Sequence, residues 1–248
     1  MATRITPLRL EAFEQLPKHA RRCVYWEVDP PTVGTDDHLS DPEFEKEAWL
    51  SMVMLQWGSC GQLAVEECRD RTEGSDPGLE PTDEPCLGYA FYAPPRVVPR
   101  AGRFPTGPVS PDAVLLTTLG VESGPGSAEL PGMLIAAVVG DLVRRGVRAL
   151  EAFGRSPEVA ELSDPARVPA DAAPVMAALG DCSVGRCVLA TDLLLDVGFV
   201  VVSPHTYFPR LRLELEQGLG WKADVEAALE RLLQSAQLQQ PVGAGANP

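Results

Sequence analysis

"DAVLLTTLGVESGPGSAELPGMLIAAVVGDLVRRGVRALEAFG", residues 112–154, decides how the chain is read. Its first ten residues are apolar and partly β-branched, with no period-two polarity, which predicts a strand buried on both faces. A Gly/Ser turn follows. The pattern then takes helical spacing from about Pro131 to Arg145, with Leu134, Ile135, Val138, Val139, Leu142 and Val143 on one face. Arg144 and Arg145 meet the negative end of the helix dipole, and Gly146 supplies a left-handed stop. "VRALEAFG" (147–154) reads as the next strand. Strand, helix and strand, joined by a crossover of about 15 residues, make a parallel βαβ unit. A helix N-terminus behind a Gly/Ser turn favours a phosphate group, because its first N–H groups are free and its dipole is positive there. Glu129 and Pro131 stand in that turn where bare backbone is expected.

Outward from this unit, "TRITPLRL" (3–10) predicts an opening strand, and residues 9–22 a helix that Pro17 splits or kinks. Residues 31–41 form a polar loop. "DPEFEKEAWLSMVMLQWG" (41–58) predicts a strong helix with Asp41 as cap and Pro42 in the first turn. Phe44, Ala48, Met52 and Leu55 make one stripe on it, and Trp49, Val53 and Trp57 a second. So wide an apolar surface suggests burial between other elements, or an interface of the kind a homodimer uses. "GQLAVEEC" (61–68) and "CLGYAFYAPP" (86–95) read as strands flanking an acidic Pro/Gly-rich insertion at 69–85. Residues 95–112 are a long connection carrying Arg96, Arg100 and Arg103, and 155–181 a second insertion with four prolines. "CVLATDLLLDVGF" (187–199) predicts a short helix. "FVVVSPHTYFPRLRLEL" (199–215) predicts one or two closing strands, with Pro204 and Pro209 implying edge positions. The expected organisation is a domain over 1–215, an added amphipathic helix over 216–238 and a tail over 239–248.

The 248 residues carry 21 basic against 35 acidic side chains, a net charge of −14. Such a field repels polyanions, which argues against nucleic-acid and anionic-lipid partners. The opening "MATRITPLRLEAFEQLP" has no apolar leader, and no apolar run approaches the ~20 residues a membrane span needs, so the expected location is cytoplasmic. None of the six cysteines forms a C-x-x-C pair, and no histidine lies near "CSVGRC" (182–187). Reduced structural thiols are the expectation, with no metal.

The order of elements, with "VLLTTLGV…PGMLIAAVVGDLVRRGVRALEAFG", "ATDLLLDVGF" and "GYAFYAPP", resembles the GNAT superfamily of N-acetyltransferases over roughly residues 3–215. "CVYWE", "GYAFYAPPRVVP" and "GWKADVEAALERLL" are similar to an actinobacterial-type subgroup. The resemblance implies an α/β fold: a mixed central sheet flanked by helices, in which two parallel strands splay apart. It implies acetyl-CoA in the gap, its pantetheine along Leu119 and Val121 and its pyrophosphate on a glycine-rich loop. By spacing, that loop is Gly126, Ser127, Ala128 and Glu129, and Cys187 takes the place of an asparagine that contacts pantetheine. The family's two loop glycines fall on Glu129 and Pro131, which brings a negative charge and removes a donor. Either phosphate binding is weakened or a shifted loop offers other amides. The family's acid tyrosine falls on Leu194 and its glutamate base on Leu115, leaving Tyr207, His205 and Glu122 as substitutes. Each has a plainer role, as loop, sheet-edge packing and solvated strand end. Arg96, Arg100 and Arg103 read as solvated surface before they read as contacts for a CoA phosphate. Two functions follow: an acetyl-CoA-dependent N-acyltransferase acting on a small-molecule or protein amine, or a catalytically silent binding or assembly module. A Rossmann nucleotide enzyme fits less well, since the glycines do not follow the first strand.

Overall fold

The computed structural model describes residues 2–28, 41–67, 85–124, 126–177 and 183–215. The βαβ unit is present as β4 (Ala113–Val121), α3 (Leu130–Arg144) and β5 (Ala149–Arg155). Around it lie β1 (Ala2–Pro7), α1 (Lys18–Arg22), α2 (Pro42–Trp57), β2 (Gly61–Glu67) and β3 (Cys86–Ala93) on the N-terminal side. On the C-terminal side are α4 (Ala173–Ala177), α5 (Val184–Cys187), β6 (Leu189–Ala190), α6 (Thr191–Asp196), β7 (Val200–Ser203) and β8 (Arg210–Glu214). The strands form one mixed sheet in the order β1-β2-β3-β4-β5-β8-β7, with the two-residue β6 pairing β5 off this path. β1 to β4 are antiparallel neighbours, β4 and β5 are parallel, and β8 runs antiparallel between β5 and β7. Helices flank the sheet on both faces.

Alternation along each strand sorts the core into two layers. Leu115, Phe153, Phe91 and Leu63 face α2 and the long connections, where Trp26, Phe104 and Phe153 stack at centroid distances of 5.2 and 4.3 Å along the series. Leu116, Leu150, Tyr92 and Leu211 face α3 and α6. The left-handed stop after α3 is Gly146, at φ +73°. Arg145 stacks its guanidinium 3.6 Å over Trp57 and donates to the Ser59 carbonyl at 2.7 Å, which ties the end of α3 to the end of α2. No helix among the described residues is long and apolar enough to cross a membrane.

Several expectations need correction. The segment 9–22 does split at Pro17 as expected, but its first half, Leu10–Gln15, is a 3-10 helix and only Lys18–Arg22 is α-helical. The α2 stripe of Phe44, Ala48, Met52 and Leu55 faces solvent, Leu55 at 85% exposure, while Trp49, Leu50 and Val53 are buried. "CVLATDLLLDVGF" is the end of α5, then β6, then α6, rather than one helix. Of the two closing strands only β7 lies at an edge of the sheet; β8 is internal, with Pro204 and Pro209 lying before its ladder begins. Arg100 is 5% exposed and donates to the Tyr25 and Val28 carbonyls at 2.9 and 3.1 Å, so it is a buried tie and not solvated surface. The 69–85 insertion falls outside the described residues save for Pro85, as do the 216–238 helix and the tail; of the 31–41 loop only Asp41 is described, and it caps α2 as expected.

Lys46 completes the buried side of α2, at the spacing 46, 49, 50, 53, and pairs there with Glu27, both side chains nearly without solvent contact. Its ammonium also lies 4.6 Å from the centre of the Phe91 ring. Burial pushes the Glu27 carboxyl up, with Lys46 pulling against it. Removing one partner leaves the other without its counter-charge. Lys46→Met is therefore expected to lower unfolding free energy by about 3–5 kcal/mol, and the double variant E27M/K46M to recover most of it, as read by urea denaturation.

Candidate active-site cleft between β4 and β5

The β4–β5 ladder is short. It pairs Ala113 with Ala149, Val114 with Leu150 and Leu115 with Glu151, and stops there although β4 runs on to Val121 and β5 to Arg155. The cause lies on the other side of β4. Its pairing with β3 skips from Leu116 to Thr118, leaving Thr117 as a bulge whose hydroxyl donates to the Phe91 carbonyl at 3.1 Å. A bulge bends its strand and raises the local twist, and here it comes two residues after the last β5-paired residue, Leu115. β5 is meanwhile held to β8: Glu151, fully buried, accepts from Arg210, from Arg212 at 3.1 Å and from the Ser110 amide at 3.1 Å. Burial raises the Glu151 carboxyl, but the Ser110, Arg210 and Arg212 bonds outweigh it and hold it below the usual range. Beyond Leu115, β4 keeps β3 on one edge and no paired strand among the described residues on the other. Past the split, β5 pairs β6 through Gly154 and Arg155.

α3 starts beside the free stretch of β4. Glu122 donates its N–H to the Leu87 carbonyl at 2.9 Å, and Gly126 turns the loop at φ +80°, a conformation a side chain would strain. The first bond into the helix runs from Met133 N–H to the Glu129 carbonyl. Leu130 and Gly132 thus bring N–H groups ahead of it, and Pro131 between them brings none. Glu129 stands at the N-cap, exposed, with its side chain not capping. Gly126 and Ala128 are also exposed, and Ser127, Leu119 and Val121 are half-buried, the last two against the α3-side core. Across the gap, Thr191 opens α6 with a buried hydroxyl that has no partner among the described residues; it lies against Gly154, where an added Cβ would meet it at 2.6 Å. A free strand edge, a helix N-terminus and an orphaned hydroxyl suit a long ligand with amide and phosphate groups. The acetyl-CoA expectation therefore fits the backbone here, with fewer loop donors than a glycine-rich turn supplies.

The acid/base substitutes are spread out. Glu122 is exposed at the end of β4. His205 and Tyr207 lie between β7 and β8, on the β5 side, with ring centroids 6.1 Å apart. His205 is engaged at both nitrogens: Nδ1 accepts from the Tyr207 and Phe208 amides at 3.1 and 3.0 Å, and Nε2 meets Asp171 at 3.1 Å. It organises a loop. Leu115 and Leu194 are both fully buried in the core. Cys187 is buried with its sulfur 3.7 Å from that of Cys23, so it points toward α1.

Tyr89 is the residue that reading the sequence missed. It is the cross-strand partner of Gly120, within the unpaired stretch of β4, and its ring lies over that glycine. A Cβ at Gly120 would sit 2.6 Å from the Tyr89 hydroxyl, so the glycine is what lets the phenol cross β4 toward the gap. Burial, then the Cys23, Cys86, Glu122 and Cys187 groups, push this phenol up, and it remains a proton donor at neutral pH. "GYAF" and "TTLGV" carry the pair in plain view, but only their register reveals it.

A surface cleft of about 550 Å³ lies at the other end of the parallel pair, lined by Trp57, Arg96, Asp112 and Arg148 among others. Ligands of open parallel sheets bind beyond the carboxyl ends of the strands, which is the splayed end and not this one.

No family model and no curated protein matches the chain. Among solved structures it is similar to the PaiA N-acetyltransferase of Thermoplasma acidophilum in complex with coenzyme A, at 12% identity and TM-score 0.44, covering 86% of this chain and 99% of that one. YncA of Salmonella typhimurium with its cofactor acetyl-CoA gives 12% and 0.45, covering 87% and 95%. An N-acetyltransferase of Staphylococcus aureus gives 12% and 0.42, covering 87% and 99%. Likeness at this level leaves the function to be argued from the site.

Because the folded Glu151 carboxyl titrates below its unfolded value near 4.3, its contribution is present above that value and is lost as pH falls through the folded pKa. Glu151→Gln is expected to lower stability at pH 7 and to flatten the stability–pH curve below about pH 4, measured by urea unfolding across a pH series.

Proposed function

We propose that the chain is an acyl-CoA-dependent N-acyltransferase whose acceptor is a cationic amine, a small molecule or a protein terminus or side chain. The observation that carries this reading is the β4–β5 ladder ending at Leu115 and Glu151 while both strands continue, beside the start of α3. Acetyl-CoA, when bound, supplies the acyl group as a thioester. The free edge of β4 from Leu116 to Val121 holds the ligand's amides and polarises the carbonyl with main-chain N–H groups. Leu130 and Gly132 offer theirs to phosphate. The Tyr89 phenol, which crosses β4 at Gly120, would give its proton to the leaving thiolate and regain one from the amine nitrogen as the amide forms, the ammonium having first lost a proton to solvent. The net charge of −14 raises the local concentration of a cationic amine.

A silent binding module is the second reading, favoured by the burial of Leu115 and Leu194 where the resembling family carries its base and acid. Calorimetry with acetyl-CoA separates the two. Low-micromolar binding supports the enzyme, and no heat at millimolar ligand supports the module. With binding established, Tyr89→Phe is expected to lower kcat about 100-fold or more, with acetyl-CoA affinity and Tm unchanged. A wild-type kcat in that variant removes Tyr89 from the chemistry. Glu129→Gln takes a negative charge from the phosphate end and is expected to tighten CoA binding about two- to fivefold at low salt, the gain fading as salt rises.

A further inference from the structure

The fold brings together three ligand-bearing side chains that lie far apart in sequence. His19 and Cys23 occupy one face of α1 and its end, four residues apart, with the Cys23 N–H bonded to the His19 carbonyl at 2.8 Å. Cys187 ends α5 and is fixed on its own side: its N–H donates to the Ser183 carbonyl at 3.0 Å, and its carbonyl accepts from the Trp26 indole at 2.9 Å. One ligand atom from each of His19, Cys23 and Cys187 lies within 4.8 Å of the other two. The Cys23 and Cys187 sulfurs are 3.7 Å apart. That is far beyond a disulfide bond of about 2.05 Å. It matches two thiolates on one tetrahedral zinc, which at about 2.3 Å each stand about 3.8 Å apart. A ring nitrogen in the same coordination sphere belongs about 3.5 Å from each sulfur, a small adjustment for half-exposed His19.

We propose that His19, Cys23 and Cys187 form a zinc site, closed by a water, that clamps α1 to the segment entering β6. The ligand set is two soft thiolates and one imidazole, which selects zinc over magnesium or calcium. The sequence hides the site because no C-x-x-C is present and the third ligand comes from 164 residues away. The plain alternative is a thiol–thiol hydrogen bond with no metal affinity. The remaining described cysteines do not compete: burial pushes Cys60 up to about 12 and Cys86 up to about 11, so both stay protonated.

The test uses the full chain, reduced and stripped with a chelator, then titrated with Co²⁺ alone and back-titrated with Zn²⁺. The expected result is one equivalent of cobalt with a thiolate-to-metal charge-transfer band and tetrahedral visible bands, all displaced by zinc. Zinc is expected to raise Tm. Cys23→Ser and Cys187→Ser are each expected to weaken cobalt binding at least about tenfold and to remove most of the zinc-dependent Tm gain. His19→Ala, at a half-exposed position, tests the same loss without disturbing the core, and Cys86→Ser should match wild type. Absence of the cobalt bands in wild type overturns the proposal. So does their persistence in Cys23→Ser and His19→Ala, or a chain that forms a Cys23–Cys187 disulfide on oxidation and shows no metal affinity when reduced.

Discussion

The cleft depends on one ion cluster. Glu151 is the last residue of β5 to pair with β4, and it is also where β5 is bound most tightly to β8, through Arg210 and Arg212. Arg212 extends the cluster to Asp112 at 2.9 Å, just ahead of β4. The N-terminal ends of β4 and β5 are thereby held through shared partners, while a bulge at Thr117, two residues past the last pair, turns β4 aside. A sheet with a full ladder here would have every main-chain group of β4 satisfied and nothing to offer a ligand. The opening is thus a property of backbone pairing, fixed before any reactive side chain is considered.

The two core layers make that opening tolerable. On one face, stacked Trp26, Phe104 and Phe153 and the buried Lys46–Glu27 pair hold α2 and the 95–112 connection against the sheet. On the other, α3 lays Leu134, Ile135, Val138 and Leu142 across β3 and β4. Each layer crosses the splay from one side, so the strands are kept in place by what covers them even where they no longer touch. Gly120 and Gly154 serve the same geometry from within the strands, giving room to the Tyr89 ring and the Thr191 hydroxyl.

Much of this was legible. The unbroken apolar run of β4, the 3.6-residue spacing of α3 and the Gly146 stop are local signals, and each element lies where its pattern put it. The Asp41 cap and Pro42 start of α2 are local as well. What escaped the sequence is set by pairing between distant segments. Thr117 is one residue in an apolar strand until β3 is laid beside it. Lys46 fills a helical stripe with Trp49, Leu50 and Val53, but a lysine in such a stripe reads as solvated until Glu27 arrives from 19 residues away. The stripe of Phe44, Ala48, Met52 and Leu55 is the complementary case: of the two outcomes its apolar face allowed, burial between elements or an interface, burial within the chain does not hold. The site followed the same division: the helix N-terminus was expected from the βαβ unit, the splayed strands only from the family resemblance, and Tyr89 needed the β3–β4 register.

The position of β8 bears on how the molecule is made. The final described strand sits in the interior of the sheet, between β5 and β7. A ribosome delivers β1 through β7 before the two arginines that neutralise Glu151 emerge. Until then the nascent sheet carries an open parallel edge and an uncompensated carboxylate at its centre. Closure of the sheet is therefore late and non-local.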